Sequence, residues 1–290
     1  MVYNMDVPFD VLKIIASYII KYNMKLLDWI DIDKIDYGNL SKNPNAIDLL
    51  EANLDKIDWD KLSANPNAIH LLEANQDKID WGYLSTNPNA IILLENNINK
   101  IRWLILTCNP NAIHINKNNI HKVEWGWLSG YSHAINLLEA NPDKIDWSEL
   151  SSNPSAIHLL EANLDKIDWM KLSENPNAIH LLEANQDKID WHSLSRNPNA
   201  IHLLEANLDK INWGELSDNQ NAIHLLEAHL DGTSWYLLSR NPKAINILKN
   251  HQDNINWEML LSNPSIFEPD KKLINENILN KAILLDTIIN

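Results

Sequence analysis

The side chains best suited to chemistry recur in one column. His70, His114, His158, His180, His202 and His224 stand at multiples of 22 residues, and in five of the six a glutamate follows three residues later, as Glu73 follows His70. Imidazole and carboxylate are ordinary zinc ligands, and an i, i+3 spacing sets both on one helix face. The copying argues against a metal centre. A catalytic metal needs one asymmetric pocket, and copies about one helix spacing apart, ~10 Å, cannot share an ion bonded at about 2 Å. A solvated face of ion pairs explains the same residues. Asp55-Lys56 and Asp77-Lys78 likewise read as turn chemistry and surface charge. There is no glycine-rich phosphate loop, G-x-S-x-G elbow or H-E-x-x-H. Cys108 precedes Asn109-Pro110 where other copies carry Lys, Ala, Thr or Ser, and reads as incidental. The expectation is a chain that is not an enzyme, with no metal or cofactor.

The elements that would position these residues follow from the repeat. Trp59, Trp81, Trp103, Trp125, Trp147, Trp169, Trp191, Trp213, Trp235 and Trp257 are each 22 residues apart, and Tyr37 precedes them in register. Leu follows three residues later in every copy, from Leu40 to Leu260. The consensus is W-x-x-L-S-x-N-P-N-A-I-H-L-L-E-A-N-x-D-K-I-D. Each copy predicts two short helices. In one, Asn65 caps, Pro66 takes the first helical position and Asn67 to Ala74 follow, with Ala68, Ile69, Leu71 and Leu72 as the apolar face. Asn75 would end it in the left-handed conformation. In the other, Asp58, Asp80, Asp146, Asp168 and Asp190 cap helices such as Trp59 to Ser63, with a start near position 142 as an alternative in one copy. A leucine-rich repeat has a similar period but needs a strand with alternating apolar residues, and the Ile-His-Leu-Leu block has helical spacing.

One such unit cannot bury a Trp, two Ile and three Leu, so units must stack. The predicted fold is an all-α solenoid of about ten to eleven 22-residue, two-helix repeats over residues 37–264. Helical caps are expected at 1–36 and 265–290: a helix started by Asp6-Val7-Pro8 and running to about Tyr22, and a closing helix from Pro269 to Ile289. At one helix spacing per unit the body would be elongated, on the order of 100 Å along its curve. The Trp column reads as core rather than as a stacking platform for bases.

Composition narrows the partners. The formal net charge is −15, which repels a phosphate backbone, so a protein partner is expected and nucleic acid is not. A single cysteine fits a reducing compartment. Asp6 and Asp10 stand where a signal peptide would be basic, and no apolar run of about 18 residues would cross a membrane; a cytoplasmic location is expected.

The register persists while its chemistry lapses at residues 98–133. Arg102 replaces the capping Asp, and Leu104 and Ile105 fill positions that are mostly polar or small. Lys117 replaces Glu, His121-Lys122 replaces Asp-Lys, Trp127 is an extra tryptophan, and Tyr131 falls in Ser129-Gly130-Tyr131-Ser132 where other copies have Ser-x-Asn-Pro. Trp, Tyr and Arg anchor interfaces, so Arg102, Leu104, Ile105, Lys117, Trp127 and Tyr131 form the candidate protein-binding set; a drifted repeat with a local bend is the alternative. The two positions after the Trp, as in Asp60-Lys61, Gly82-Tyr83, Ser148-Glu149, Met170-Lys171 and His192-Ser193, vary most, as a modular recognition surface on a fixed framework would.

The block N-P-N-A-I-H-L-L-E-A-N-x-D-K-I-D-W-x-x-L-S resembles the short repeats of proteins of giant DNA viruses of the Mimivirus type, over residues 37–264. The resemblance implies a viral protein in the cytoplasm of an amoeba-like host and no defined activity. Val7 to Ile19 is similar to the opening of an F-box, which would make Pro8, Val11, Leu12, Ile15 and Tyr18 contacts to the host adaptor Skp1. The leading expectation is a non-catalytic protein-interaction scaffold. The alternatives are a substrate receptor of a host ubiquitin ligase and a structural component of a virion or filament.

Overall fold

The computed structural model describes residues 23–276. Each unit is numbered here from its aromatic residue, so that Tyr37 opens unit 1 and Trp257 opens unit 11. Unit 2 shows the pattern: a first α-helix Trp59–Ser63, a second α-helix Ile69–Ala74, and a single 3-10 turn Gln76–Lys78. Ile79 and Asp80 then run extended into the next Trp. The unit thus has three helical pieces rather than two. The segment near Pro142 is the 3-10 turn Pro142–Lys144, separate from the helix Trp147–Ser151.

Local chemistry sets each boundary. The Asp58 carboxylate accepts the Lys61 amide at 3.0 Å, supplying one of the orphan donors of a helix start. Asp36, Asp80, Asp146, Asp168 and Asp190 cap their own first helices in the same way. Proline disfavours helical backbone in the residue before it, and Asn87 accordingly lies at φ −74°, ψ 113°. The second helix begins at Ile69, later than the sequence implies, because Pro66 to Ala68 are spent on a turn. That turn is closed by the Ala68 amide to the Asn65 carbonyl at 3.1 Å and the Asn67 amide to Asn65 Oδ1 at 3.0 Å. Asn75 is not left-handed: it lies at φ −135°, ψ 52°, and no described residue has positive φ. It ends the helix with its side chain, Nδ2 donating to the Leu71 carbonyl at 2.9 Å.

Leu62, Ala68 and Leu72 are fully buried, and Ile79 nearly so. Their equivalents form one continuous apolar column through the stack, each Leu contributing about 1.5–3 kcal/mol by leaving water. A polar column runs beside it. Asn65 is fully buried, and its Nδ2 donates to the carbonyls of Ser41 and Asn43 in the preceding unit, both at 3.0 Å. The same pair of bonds recurs at Asn87, Asn109, Asn153, Asn175, Asn197 and Asn219. Asn65 therefore serves as an inter-unit clamp as well as a turn former. Serine adds a second stitch: Ser63 Oγ donates to the Trp59 carbonyl and accepts the Asp80 amide of the next unit.

First helices of successive units pack directly on one another, while second helices stand farther apart. A stack tighter along one edge must curve toward that edge, so the first helices line a concave wall. Converging side chains confirm the direction: Lys42 of unit 1 reaches the Tyr83 ring of unit 3 across unit 2, where the equivalent residue is the small Ala64.

The curvature closes on itself. Asn43 Nδ2 donates to the carbonyls of Leu261 and Asn263, both at 2.9 Å, and Asn45 Nδ2 donates to the Pro264 carbonyl at 2.9 Å. These are the bonds each unit makes to the one before it, here joining unit 1 to unit 11. The remainder of unit 11 comes from the other end of the chain. Strand β1 (Met24–Leu26) pairs antiparallel with β2 (Phe267–Pro269), Lys25 facing Glu268, and the 3-10 turn Ile32–Lys34 takes the place that Gln76–Lys78 has in unit 2. Lys34 lies over the Trp257 ring at 4.6 Å, as Lys78 lies over Trp59 at 4.4 Å.

The all-α solenoid of 22-residue repeats is as the sequence implies, but it closes into a ring instead of extending; the N-terminal cap helix expected from Asp6 to about Tyr22 lies outside the described residues. Residues 24–36 and 264–269 complete a composite eleventh unit, and a perimeter on the order of 100 Å makes a ring roughly 30 Å across, helix to helix. Within 23–36 the chain forms β1 and a 3-10 turn; beyond β2 a helix capped by Asp270 is described over 271–276, within the closing helix expected from Pro269 to Ile289. Closure explains why no polar end cap is needed: the carbonyls that an open end would leave unpaired are bonded.

Candidate binding face

The concave wall is lined by the first two residues after each Trp and by the residue five after it. In eight of the eleven units at least one of these three residues is charged, and several of the charges pair from unit to unit. Lys61 lies 3.5 Å from its own helix cap Asp58 and donates to Asn39 Oδ1 of unit 1 at 3.0 Å, Lys171 pairs with Glu149, Arg196 bridges Glu174 at 3.6 Å and Glu215 at 2.6 Å, and Arg240 meets Asp218. Units 3 to 5 differ. Their nine residues at these positions, Gly82, Tyr83, Thr86, Leu104, Ile105, Cys108, Gly126, Trp127 and Gly130, include no charge. Tyr83, Leu104 and Trp127 are exposed by 44%, 46% and 58%.

A hollow of about 270 Å³ opens here, lined by Asp80, Gly82, Tyr83, Thr86, Arg102 and Ile105. Arg102 lacks the capping carboxylate of other units and leaves its helix start without a side-chain cap. Its side chain instead crosses Gly82, where a Cβ would come within 3.5 Å of the guanidine Nε. Asp80 Oδ1 is occupied by the Tyr83 amide at 2.7 Å.

Of the residues singled out by sequence, Arg102, Leu104, Ile105 and Trp127 therefore share one arc. Lys117 lies apart on a second helix, Ile113–Asn118. Tyr131 is half-buried and occupies the clamp position of unit 5. Its hydroxyl donates to Cys108 Sγ at 2.9 Å, and burial, then this bond, push its pKa up to about 12. With the clamp Asn missing, His133 comes to the Thr107 carbonyl; burial nonetheless holds its pKa below the usual histidine range. His133 Nε2 has no partner, nor do Oδ1 and Nδ2 of Asn116, which is fully buried where other units carry Leu. Units 4 and 5 are thus the least satisfied stretch of the described ring.

Sequence reasoning missed Tyr83 and Lys42 as members of this face. The signal for Tyr83 was its place among the variable pairs; Lys42 is brought in only by curvature. The histidine column also differs. His70 pairs with Glu51 of the preceding unit, not with Glu73 of its own helix, and His114, His158, His180, His202 and His224 pair with Glu95, Glu139, Glu161, Glu183 and Glu205 at 2.8–2.9 Å. Among the described residues no three metal-ligand side chains converge. The Trp column is half-buried against the core, and lysines of the Asp-Lys pairs lie over it, as Lys188 does over Trp169 at 4.5 Å. Where Lys is replaced by Gly232, the His229 ring lies tilted against Trp213 instead, centroids 4.3 Å apart.

Pro8, Val11, Leu12, Ile15 and Tyr18 lie outside the described residues. No described helix is long and apolar enough to cross a membrane. Comparison of the chain with known protein families, with curated proteins and with solved structures finds no match.

Proposed function

We propose that the ring is a non-catalytic protein-interaction scaffold whose binding face is the concave arc of units 3 to 5. One observation carries this reading. On a wall where charges pair from unit to unit, three consecutive units bear none and expose Tyr83, Leu104 and Trp127. Exposed aromatic residues clustered on a concave surface are the usual anchors of interfaces. The hollow, about 270 Å³, is large enough to take one side chain of a partner. Closure supports a scaffold over a filament, because the seam consumes both ends that would otherwise stack.

The test is site-specific photo-crosslinking in an amoebal extract, the host that the resemblance to giant-virus repeat proteins implies. A photoreactive residue at Leu104 is expected to give discrete protein adducts. The same group at Glu258, the equivalent position in unit 11, is expected to give none. Equal labelling from both positions, or none from either, would overturn the reading.

A further inference from the structure

Resting on that reading, we propose that the arc recognises an acidic protein segment carrying a bulky apolar side chain. The apolar part is set by the hollow between Tyr83, Thr86 and Ile105, which has room for one large side chain. Leu104 and Trp127 continue the apolar surface.

The acidic part is set by charge. Lys61, Lys171, Arg196 and Arg240 on this wall all have a carboxylate within 4 Å. Two exposed cations at the arc have none among the described residues. Lys42 lies 5.8 Å from the centre of the Tyr83 ring, and Arg102 lines the hollow across Gly82. Asp80, the carboxylate that lines the hollow, accepts the Tyr83 amide and forms no ion pair with Arg102 within 4 Å. A chain of net charge −15 that leaves two cations without an ion pair beside the nine wall positions that carry no charge provides local complementarity for carboxylates. Guanidinium binds carboxylate through two parallel hydrogen bonds, and cations beside exposed aromatic rings keep an apolar approach open.

The test selects random displayed peptides on the intact ring and measures the enriched ones by fluorescence anisotropy. Sequences joining Asp or Glu to Leu, Phe or Trp are expected, with affinity falling as salt rises. Arg102→Asp is the decisive variant. It restores the helix cap that Asp58 and Asp168 provide, so it keeps the fold while reversing the charge. It is expected to weaken binding by roughly tenfold or more, and Leu104→Asp to abolish it. Peptides lost with Leu104→Asp but indifferent to Arg102→Asp, or rich in Lys and Arg, would overturn the acidic partner and leave the scaffold standing. No peptide mapping to the arc would overturn both. Tighter binding of oligo-dT or oligo-U than of any peptide would also overturn the proposal, since exposed aromatics with Arg and Lys are what a single strand requires.

Discussion

The side-chain amide of Asn43 donates to the carbonyl of Asn263, 220 residues later, at 2.9 Å. Asn65 makes the same bond to Asn43, 22 residues away, at 3.0 Å. The seam is therefore built as most other joints are. It differs in one stitch, because buried Leu261 stands where other units have the clamp serine or threonine. The hairpin-like pairing of β1 with β2 offsets that loss, together with the Lys25–Glu268 ion pair at 3.1 Å.

Closure is checked by a disulfide across the seam. Directly paired antiparallel residues have Cα atoms about 4.5–5.5 Å apart, inside the range of about 4.4–6.8 Å that a disulfide spans. Lys25→Cys with Glu268→Cys, in a Cys108→Ser background, is expected to oxidise almost wholly within one chain, with native circular dichroism. An open solenoid would keep these residues apart, and crosslinking would then run between molecules and rise with protein concentration.

The clamp asparagines set the energy of each joint. In Asn175→Ala the carbonyls of Ser151 and Asn153 lose their donor in a fully buried position. Leaving buried acceptors unpaired costs about 1–3 kcal/mol each, so chemical denaturation should show a loss of about 2–5 kcal/mol. Asn177→Ala removes only the exposed bond to Pro154 and should cost under about 1 kcal/mol. Equal costs for the two variants would mean that the buried ladder does not hold the units together.

How much of this was legible follows from what each residue senses. The period, the Asp caps and the helical character are local properties, and the Asp58–Trp59 boundary was readable from a few neighbouring residues. The variable positions after each Trp were recognisable as a surface. Ring closure was not, because it depends on a small curvature per unit summed eleven times, which no single repeat encodes visibly. The His70–Glu51 pairing was missed for a related reason: residues 19 apart become neighbours only once units are stacked. Lys188 over Trp169 was hidden in the same way, although its constant offset from the Trp column was a usable clue.

Asn116 is a defect that can be repaired. Its two polar side-chain atoms are buried and unpartnered, at a position equivalent to the fully buried Leu72, Leu94 and Leu138. Asn116→Leu removes two unsatisfied groups and adds a core side chain, so a gain of about 2–4 kcal/mol is expected. Differential scanning calorimetry should then show a higher Tm, by about 2–4 °C per kcal/mol for a chain of this size. A lower Tm would show that the amide has partners in solution.

His133 makes the same stretch sensitive to pH. Burial disfavours the imidazolium, and the Thr107 carbonyl offsets this only in part, so the folded pKa lies below 6.5. Well above about pH 6.5 both folded and unfolded chains hold a neutral ring, and the group has no effect on stability. Below that, the unfolded chain takes up a proton that the folded chain refuses. Stability therefore falls with pH through the window under 6.5, until the depressed folded pKa is passed and the loss becomes constant. His133→Asn removes the titrating ring and restores the residue of units 3 and 4, where Asn111 Nδ2 donates to the Pro88 carbonyl at 2.9 Å; the variant amide would reach the equivalent Pro110. Urea unfolding of both proteins between about pH 7 and pH 5 should show the variant's advantage growing as pH falls. Parallel stability curves would mean that the imidazole is hydrated and titrates normally.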